Sequence, residues 1–329
     1  MSDQSGVNVD GSCAPGFERV RDAFEQNFIE REEIGAAVAV WVDGDLVVNL
    51  WGGSADGARQ RPWREDTLAS IFSGSKGLTS TCVHLLADCG EIDLHATVAK
   101  YWPEFGQAGK EAITIATVMG HRSGVIGPRT RLTPEETLDW DGVCRHIAAA
   151  EPWWEPGTAQ GYHMVTFGFI LGEIIRRVTG RTLGQFLRTE VAEPLGIDVH
   201  VGLPASEHHR CAEMINKPHI REVLAAGQAP GSPACLTEHP MAGLSIAMGF
   251  VPDDEVGSDM IDVWRSVEFP APTAMSPRWA CRRSTTRWPR RSCSAVSTWS
   301  CAGYPRAAST SMWSWGRGSP TTGGVWATC

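Results

Sequence analysis

The chain has 329 residues, of which 42% are hydrophobic, and carries a formal charge of −9. That length allows one large α/β domain or two smaller ones, and the acidic balance argues against nucleic acid as a partner. No run approaches the ~20 apolar residues of a membrane span.

The first segment, residues 1–14, reads as a polar N-terminal extension. It has neither the basic nor the apolar region of a secretory signal, so the expected compartment is the cytoplasm. The ten Cys include no Cys-x-x-Cys pair and are expected as reduced thiols, with no metal and no cofactor. Phe17, Val20, Ala23, Phe24, Asn27 and Phe28 recur at helical spacing and predict one apolar face of a helix. Gly35 opens a β-rich run through Val42, and a second runs from Leu46 to Trp51. Asp43-Gly44 between them predicts a hairpin. After the polar stretch Gly52 to Asp66, an apolar-periodic run predicts a helix over 75–89, with Gly90 just past its end.

From Leu94 to Gly124 the pattern is helical and looped, with Tyr101-Trp102-Pro103-Glu104-Phe105 as a packed turn. Thr133-Pro134-Glu135-Glu136 has the capping residue and N1 proline of a helix start. A long apolar helix is expected from Thr166 to Thr179, closed by Gly180, and another from Thr182 to Val191. The stretch 204–262 is less legible.

Residues 271–329 change character. Glu268 is the last acid, so residues 1–268 carry −17 and the final 61 positions +8. The tail holds six of the 14 Trp and four of the ten Cys, without helical or strand periodicity. One reading is a basic disordered arm, although disordered segments are poor in aromatics. The other is a reading-frame error near residue 272 in a GC-rich gene. Shifted by two nucleotides with permitted codons, Ser292 to Ser300 rereads as Leu-Leu-Ser-Arg-Glu-His-Val-Glu-Leu, which restores acids and a helical pattern.

The chemistry centres on Ser73-Gly74-Ser75-Lys76. Lys is scarce here, at only four of the 29 basic residues. Residues three apart share a helix face, so Ser73 and Lys76 can meet at a helix start. The positive dipole end there favours an ionised hydroxyl and a developing oxyanion. The plain alternative is a capping Ser and a solvated Lys. Gly243-Leu244-Ser245-Ile246-Ala247 lacks the last Gly of a nucleophile elbow and reads as structural.

The ordered motifs resemble the β-lactamase-related serine hydrolases, which include family VIII carboxylesterases, class C β-lactamases and D-alanyl-D-alanine peptidases. Ile71 to Ser80 is similar to the nucleophile box, and Val118-Met119-Gly120-His121-Arg122-Ser123-Gly124-Val125 to a Leu-Leu-x-His-x-Ser-Gly-Leu segment. Trp154-Glu155-Pro156-Gly157-Thr158 with Tyr162, then Leu171 to Ile175 and Pro194 to Ile197, follow in order. The resemblance covers roughly residues 15–270. It implies an α/β (α+β) fold, with an antiparallel sheet flanked by helices and a helical lobe over roughly 85–200. The C-terminal strands are expected to be missing or aberrant.

It further implies Ser73 as nucleophile, Lys76 as base and Tyr162 as proton relay. His121, Ser123, Trp153, Trp154 and His163 are candidates for substrate binding or for holding the surrounding loop. The substrate is expected to be a small-molecule ester or lactam. Met164 departs from the Tyr-x-Asn of many β-lactamases and favours an esterase for short acyl esters. A β-lactamase, a D-alanyl peptidase or a non-catalytic relic of the fold remain alternatives. No clear third, C-terminal box exists, Thr322-Gly323-Gly324 being a poor candidate. The printed tail is therefore expected to fold poorly or to leave activity weak.

Overall fold

In the computed structural model, which describes residues 8–128, 132, 134–215, 265–268 and 273–275, the first half of the fold begins with a three-stranded antiparallel sheet. Strand β1 (Val9–Cys13) pairs with β3 (Asp45–Gly53), which pairs on its other side with β2 (Gly35–Val42). The β2–β3 turn has Asp43 and Gly44 at φ 50° and 85°, the backbone twist that matches a hairpin. Helix α1 (Glu18–Glu30) covers one face. Its Phe24 and Phe28 meet edge to face at 5.3 Å and pack on Val48 and Leu50, which the sheet buries completely.

Strand β1 corrects two expectations. It lies inside the segment read as a polar extension, and it gives the hairpin a third strand. Its polar residues pair through the backbone, so no apolar alternation announced it. Gly11, at φ 104°, has an added Cβ position 2.0 Å from the Asn49 carbonyl oxygen, so only glycine fits against β3 there.

Strand β4 (Ala69–Ser70) leads through a 3₁₀ turn, Phe72–Gly74, into α2 (Ser75–Asp88). Gly90 follows that helix at φ 75°. Next come α3 (Val98–Tyr101), a 3₁₀ turn at Pro103–Phe105, and α4 (Ile115–Met119), whose first turn is capped by the Thr114 side chain. Trp102 and Phe105 are buried with rings 5.3 Å apart, as the packed turn predicts. Helices α5 (Pro134–Leu138), α6 (Trp140–Ala149) and α7 (Thr166–Thr179) follow, the last ended by Gly180 at φ 68°. Helix α8 (Leu183–Leu187) opens with a capping box between Thr182 and Gln185. It continues through a π-helical stretch, Arg188–Ala192, into α9 (Glu193–Leu195).

Strand β5 (Val199–Val201) completes a second antiparallel sheet with β4 and β6 (Thr273–Met275), in the order β4-β6-β5. β6 falls within the segment read as an aberrant tail. Three residues of backbone pairing require no side-chain periodicity, which is why the tail's composition did not mark it.

Helix α7 is the centre of the main core: every residue from Thr166 to Ile175 is buried. Cys82, Val83 and Leu86 of α2, Ile115 and Val118 of α4, and Val143 and Ile147 of α6 share that core. One carboxylate lies within it. Glu173 accepts from Arg176 at 2.9 Å, Arg177 at 2.7 Å and the Trp140 indole N–H at 2.9 Å. A buried carboxylate is tolerable only when its lone pairs are so occupied. Glu173→Ala is expected to cost about 3 kcal/mol, because it leaves the Trp140 donor without its acceptor and each guanidinium with only its outer carboxylate, Asp141 or Glu104. Urea unfolding of the two proteins checks this, and an unchanged midpoint would contradict it.

Candidate active site

The first helical turn after β4 and the segment just before α7 meet at one point. Ser73 lies in the 3₁₀ turn and Lys76 one turn further on, so both face the same side. Lys76 Nζ lies 3.3 Å from Ser73 Oγ, and the Tyr162 hydroxyl donates to the same Oγ at 2.6 Å. Lys76 also donates to the Met164 carbonyl at 2.6 Å, and its Nζ stands 4.8 Å from the Tyr162 ring centroid. Ser73 is exposed, Lys76 is buried and Tyr162 is 47% exposed, so Tyr162 is not a core tyrosine. An accessible hydroxyl thus receives hydrogen bonds from an amine and a phenol. Phe72, directly before the nucleophile candidate, has φ 44°, a conformation that costs a bulky residue about 1–3 kcal/mol.

His121, Ser123 and His163 lie beside and beneath this point. His163 is fully buried; its Nδ1–H donates to the Gly161 carbonyl at 2.6 Å, so Nε2 accepts from the Ser123 hydroxyl at 2.6 Å. Ser123 is equally buried and also accepts from the Val125 N–H at 3.1 Å. Neither has exposed surface, and both are bonded within the loop. The His121 ring lies 5.0 Å from the Tyr162 ring and 5.0 Å from Phe167.

Trp153 donates to the Gly127 carbonyl, in the segment after α4, at 3.1 Å, and Trp154 to the Ala159 carbonyl of its own loop at 3.2 Å. The Trp154 ring fills the space beside Gly161, where an added Cβ would come within 2.4 Å of it. Trp154 therefore shapes the segment that carries Tyr162. Sequence reasoning missed the Met164 carbonyl, the Phe72 backbone and the Phe167 ring. A main-chain acceptor leaves no trace in residue type, whereas Phe167, one residue into α7 on its apolar face, was available to be found. Gly243 to Ala247 and Thr322 to Gly324 lie outside the described residues.

Burial is the main electrostatic influence on the two imidazoles. It pushes His163 down to about 4 from the usual 6.5, with His121 and Lys76 opposing its charge further, and the Gly161 carbonyl pulling the other way. His121 is lowered by burial and then by Lys76. As pH falls, the unfolded chain protonates the residue-163 imidazole before the folded chain does. Its contribution is therefore complete above pH 6.5 and is lost as pH falls through about 4. The loss is on the order of 3 kcal/mol. Denaturant melts between pH 4 and 7 should show a shallower pH slope for His163→Asn than for the unmodified chain. Equal slopes would refute the assignment.

A match to the family described as Beta-lactamase spans residues 20–290. "Esterase/beta-lactamase LipL" of Mycobacterium tuberculosis is 41% identical over 213 residues, 64% of this chain and 49% of that protein. The chain spans about half the length of the curated relatives it matches. A crystal structure of a family VIII carboxylesterase is 42% identical, with a TM-score of 0.70 over 82% of this chain and 69% of the other. A penicillin-binding protein homologue from Caulobacter crescentus is 35% identical, with the same TM-score of 0.70 and the same 82% and 69% coverage. The fold is therefore the β-lactamase/transpeptidase-like arrangement of antiparallel strands and helices, and the chain belongs to the β-lactamase family.

Proposed function

We propose that the chain is a serine carboxylesterase that cleaves short acyl esters through an acyl-enzyme on Ser73. The observation that carries this reading is the meeting of Lys76 Nζ and the Tyr162 hydroxyl on Ser73 Oγ, at 3.3 and 2.6 Å. Ser73 Oγ attacks the ester carbonyl carbon as its proton passes to the Lys76 amine, which acts in this step as the neutral base. The bond to the alcohol oxygen then breaks, and that oxygen takes a proton relayed through Tyr162. Water attacks the acyl carbonyl, gives its proton to the same pair, and Ser73 recovers its own. The Ser73 backbone N–H, in the first turn of the helical run, is half of an oxyanion hole.

Met164 supports an ester over a lactam. Its carbonyl is occupied by Lys76 and its side chain packs against the helical core, so it offers no amide partner to a lactam side chain. The relatives named as esterases point the same way. Among the described residues no helix is long and apolar enough to cross a membrane, and five cysteines are free thiols, which supports a reducing compartment such as the cytoplasm.

A burst of chromogenic alcohol from a p-nitrophenyl butyrate assay, and covalent labelling by a fluorophosphonate, are expected of the chain and absent from Ser73→Ala. Tyr162→Phe and Lys76→Met should each lower kcat by roughly 10²- to 10⁴-fold. Failure of the unmodified chain to label would overturn the acyl-enzyme, and faster turnover of nitrocefin than of the ester would overturn the substrate class. The tail after residue 270 is proposed to weaken folding and turnover without changing this chemistry. The nucleotide sequence across codons 268–285 tests its origin: a gene whose alternative frame encodes no helical, acidic continuation would refute the frame error.

A further inference from the structure

Tyr162 poses a positioning problem. It is 47% exposed and sits on a loop, yet its hydroxyl lies 2.6 Å from Ser73 Oγ. A half-exposed side chain on an untethered loop would spend most of its time elsewhere. The peptide groups on either side of it are both held by one residue. The Gly161 N–H donates to the His121 carbonyl at 3.0 Å, and the His163 N–H donates to His121 Nδ1 at 3.1 Å. The imidazole also lies against the Tyr162 ring on one side and Phe167 on another. His121 itself is held at φ 57°, just after the end of α4, a conformation that asparagine and histidine adopt more readily than most residues.

We propose that His121 is the positioning residue for Tyr162: a two-point clamp on the residues flanking the phenol, one point of which opens when the imidazole takes a proton. This rests on the acyl-transfer reading of Ser73, to which Tyr162 delivers its hydroxyl. In the neutral ring Nδ1 is an acceptor and the proton sits on Nε2. Protonation puts N–H on Nδ1, facing the His163 N–H, and two donors replace a hydrogen bond. The carbonyl point survives, so the loop loosens at one end instead of detaching. The ionisable groups facing the ring are the Lys76 amine from α2, and Tyr162 and His163 from the segment before α7; α7 itself presents Phe167. Burial, and after it Lys76, hold His121 neutral at pH 7, so the clamp is closed there and opens on acidification.

Two variants separate this role from simple packing. His121→Ala removes the ring acceptor and is expected to lower kcat about 100-fold with KM changed less than about 3-fold, since misplacement of a catalytic group by about 1 Å costs that much. His121→Asn keeps an acceptor oxygen near the Nδ1 position, tolerates the positive φ and does not titrate. It should restore kcat to within about 5-fold of the unmodified chain and lack the part of the acid limb, below pH 6.5, that the imidazole supplies. Circular dichroism at each pH keeps acid unfolding out of the comparison. An Asn variant as slow as the Ala variant while folded, or one with the unmodified acid limb, would overturn the clamp.

A readout without turnover distinguishes failure of the clamp from failure of the hydrolase reading. The chain has three tyrosines, so the ring signals of Tyr162 in a tyrosine-labelled full chain are assignable from Tyr162→Phe. They should move with pH in the Ser73→Ala background and stand still when His121→Asn is added. A chain that neither labels nor turns over yet shows this shift would lose the hydrolase reading and keep the clamp. A chain that turns over while the Tyr162 signals ignore pH in both backgrounds would lose the clamp alone.

Discussion

The hydrogen bond from Lys76 Nζ to the Met164 carbonyl is the contact on which the site depends. It joins the first turn of α2 to the segment entering α7, two pieces of chain separated by 88 residues. Beside the hydrogen bond from Tyr162 to Ser73 it is a second polar link between those elements, and the one made by a buried side chain. The bond also orients a buried amine. Lys76 enters the protein interior because α2 packs its Cys82, Val83 and Leu86 into the core around α7. Its amine then requires partners, and it finds a carbonyl, a hydroxyl and an aromatic face. Core packing thereby dictates where the amine must point.

The helical half of the molecule was readable because its signals are local. Periodic apolar residues and a closing glycine defined α7 from Thr166 to Thr179, and a second helical run was expected from Thr182, where α8 begins one residue later. The Ser73/Lys76 juxtaposition followed from helical spacing alone. Tyr162 needed the resemblance, since no spacing rule links a residue to another 89 positions earlier. What stayed hidden was main-chain chemistry. β1 pairs through backbone groups of polar residues, the Met164 carbonyl has no side-chain signature, and the positive φ at Phe72 appears in a residue type that does not advertise it. For Ser123 and His163, residue type could not tell a buried, mutually bonded pair from a pair that faces a ligand.

Two strained backbones bracket the reacting groups. Phe72 at φ 44° precedes Ser73, and His121 at φ 57° holds the residues on both sides of Tyr162. Each costs about 1–3 kcal/mol and persists only where the surroundings hold it. At Phe72 the holding comes from β4 on one side and α2 on the other. At His121 it comes from the end of α4, through a hydrogen bond from the His121 N–H to the Val118 carbonyl, and from loop contacts that run from Gly120 to Gly124. Both distortions aim a side chain at the same oxygen, which is what stored backbone strain accomplishes when it sits beside chemistry.

Charge follows the same logic. Two imidazoles near a buried amine would repel it if they were cationic, yet burial keeps both below their ordinary range and so neutral at pH 7. Neutral rings can then act as hydrogen-bond acceptors, and each does: His121 takes the His163 N–H, and His163 takes the Ser123 hydroxyl. A chain of acceptors thus runs from the buried loop to the phenol-bearing segment and ends beside Lys76, whose positive charge discourages protonation of either ring. The amine therefore stabilises the state of its own supports that keeps Tyr162 in reach, and anything that neutralised Lys76 would make both imidazoles easier to protonate. Reactivity and scaffold therefore meet at one lysine: burial of the imidazoles sets most of the site's response to acid, and Lys76, held beneath the first turn of α2, adds to it while fixing the nucleophile's geometry.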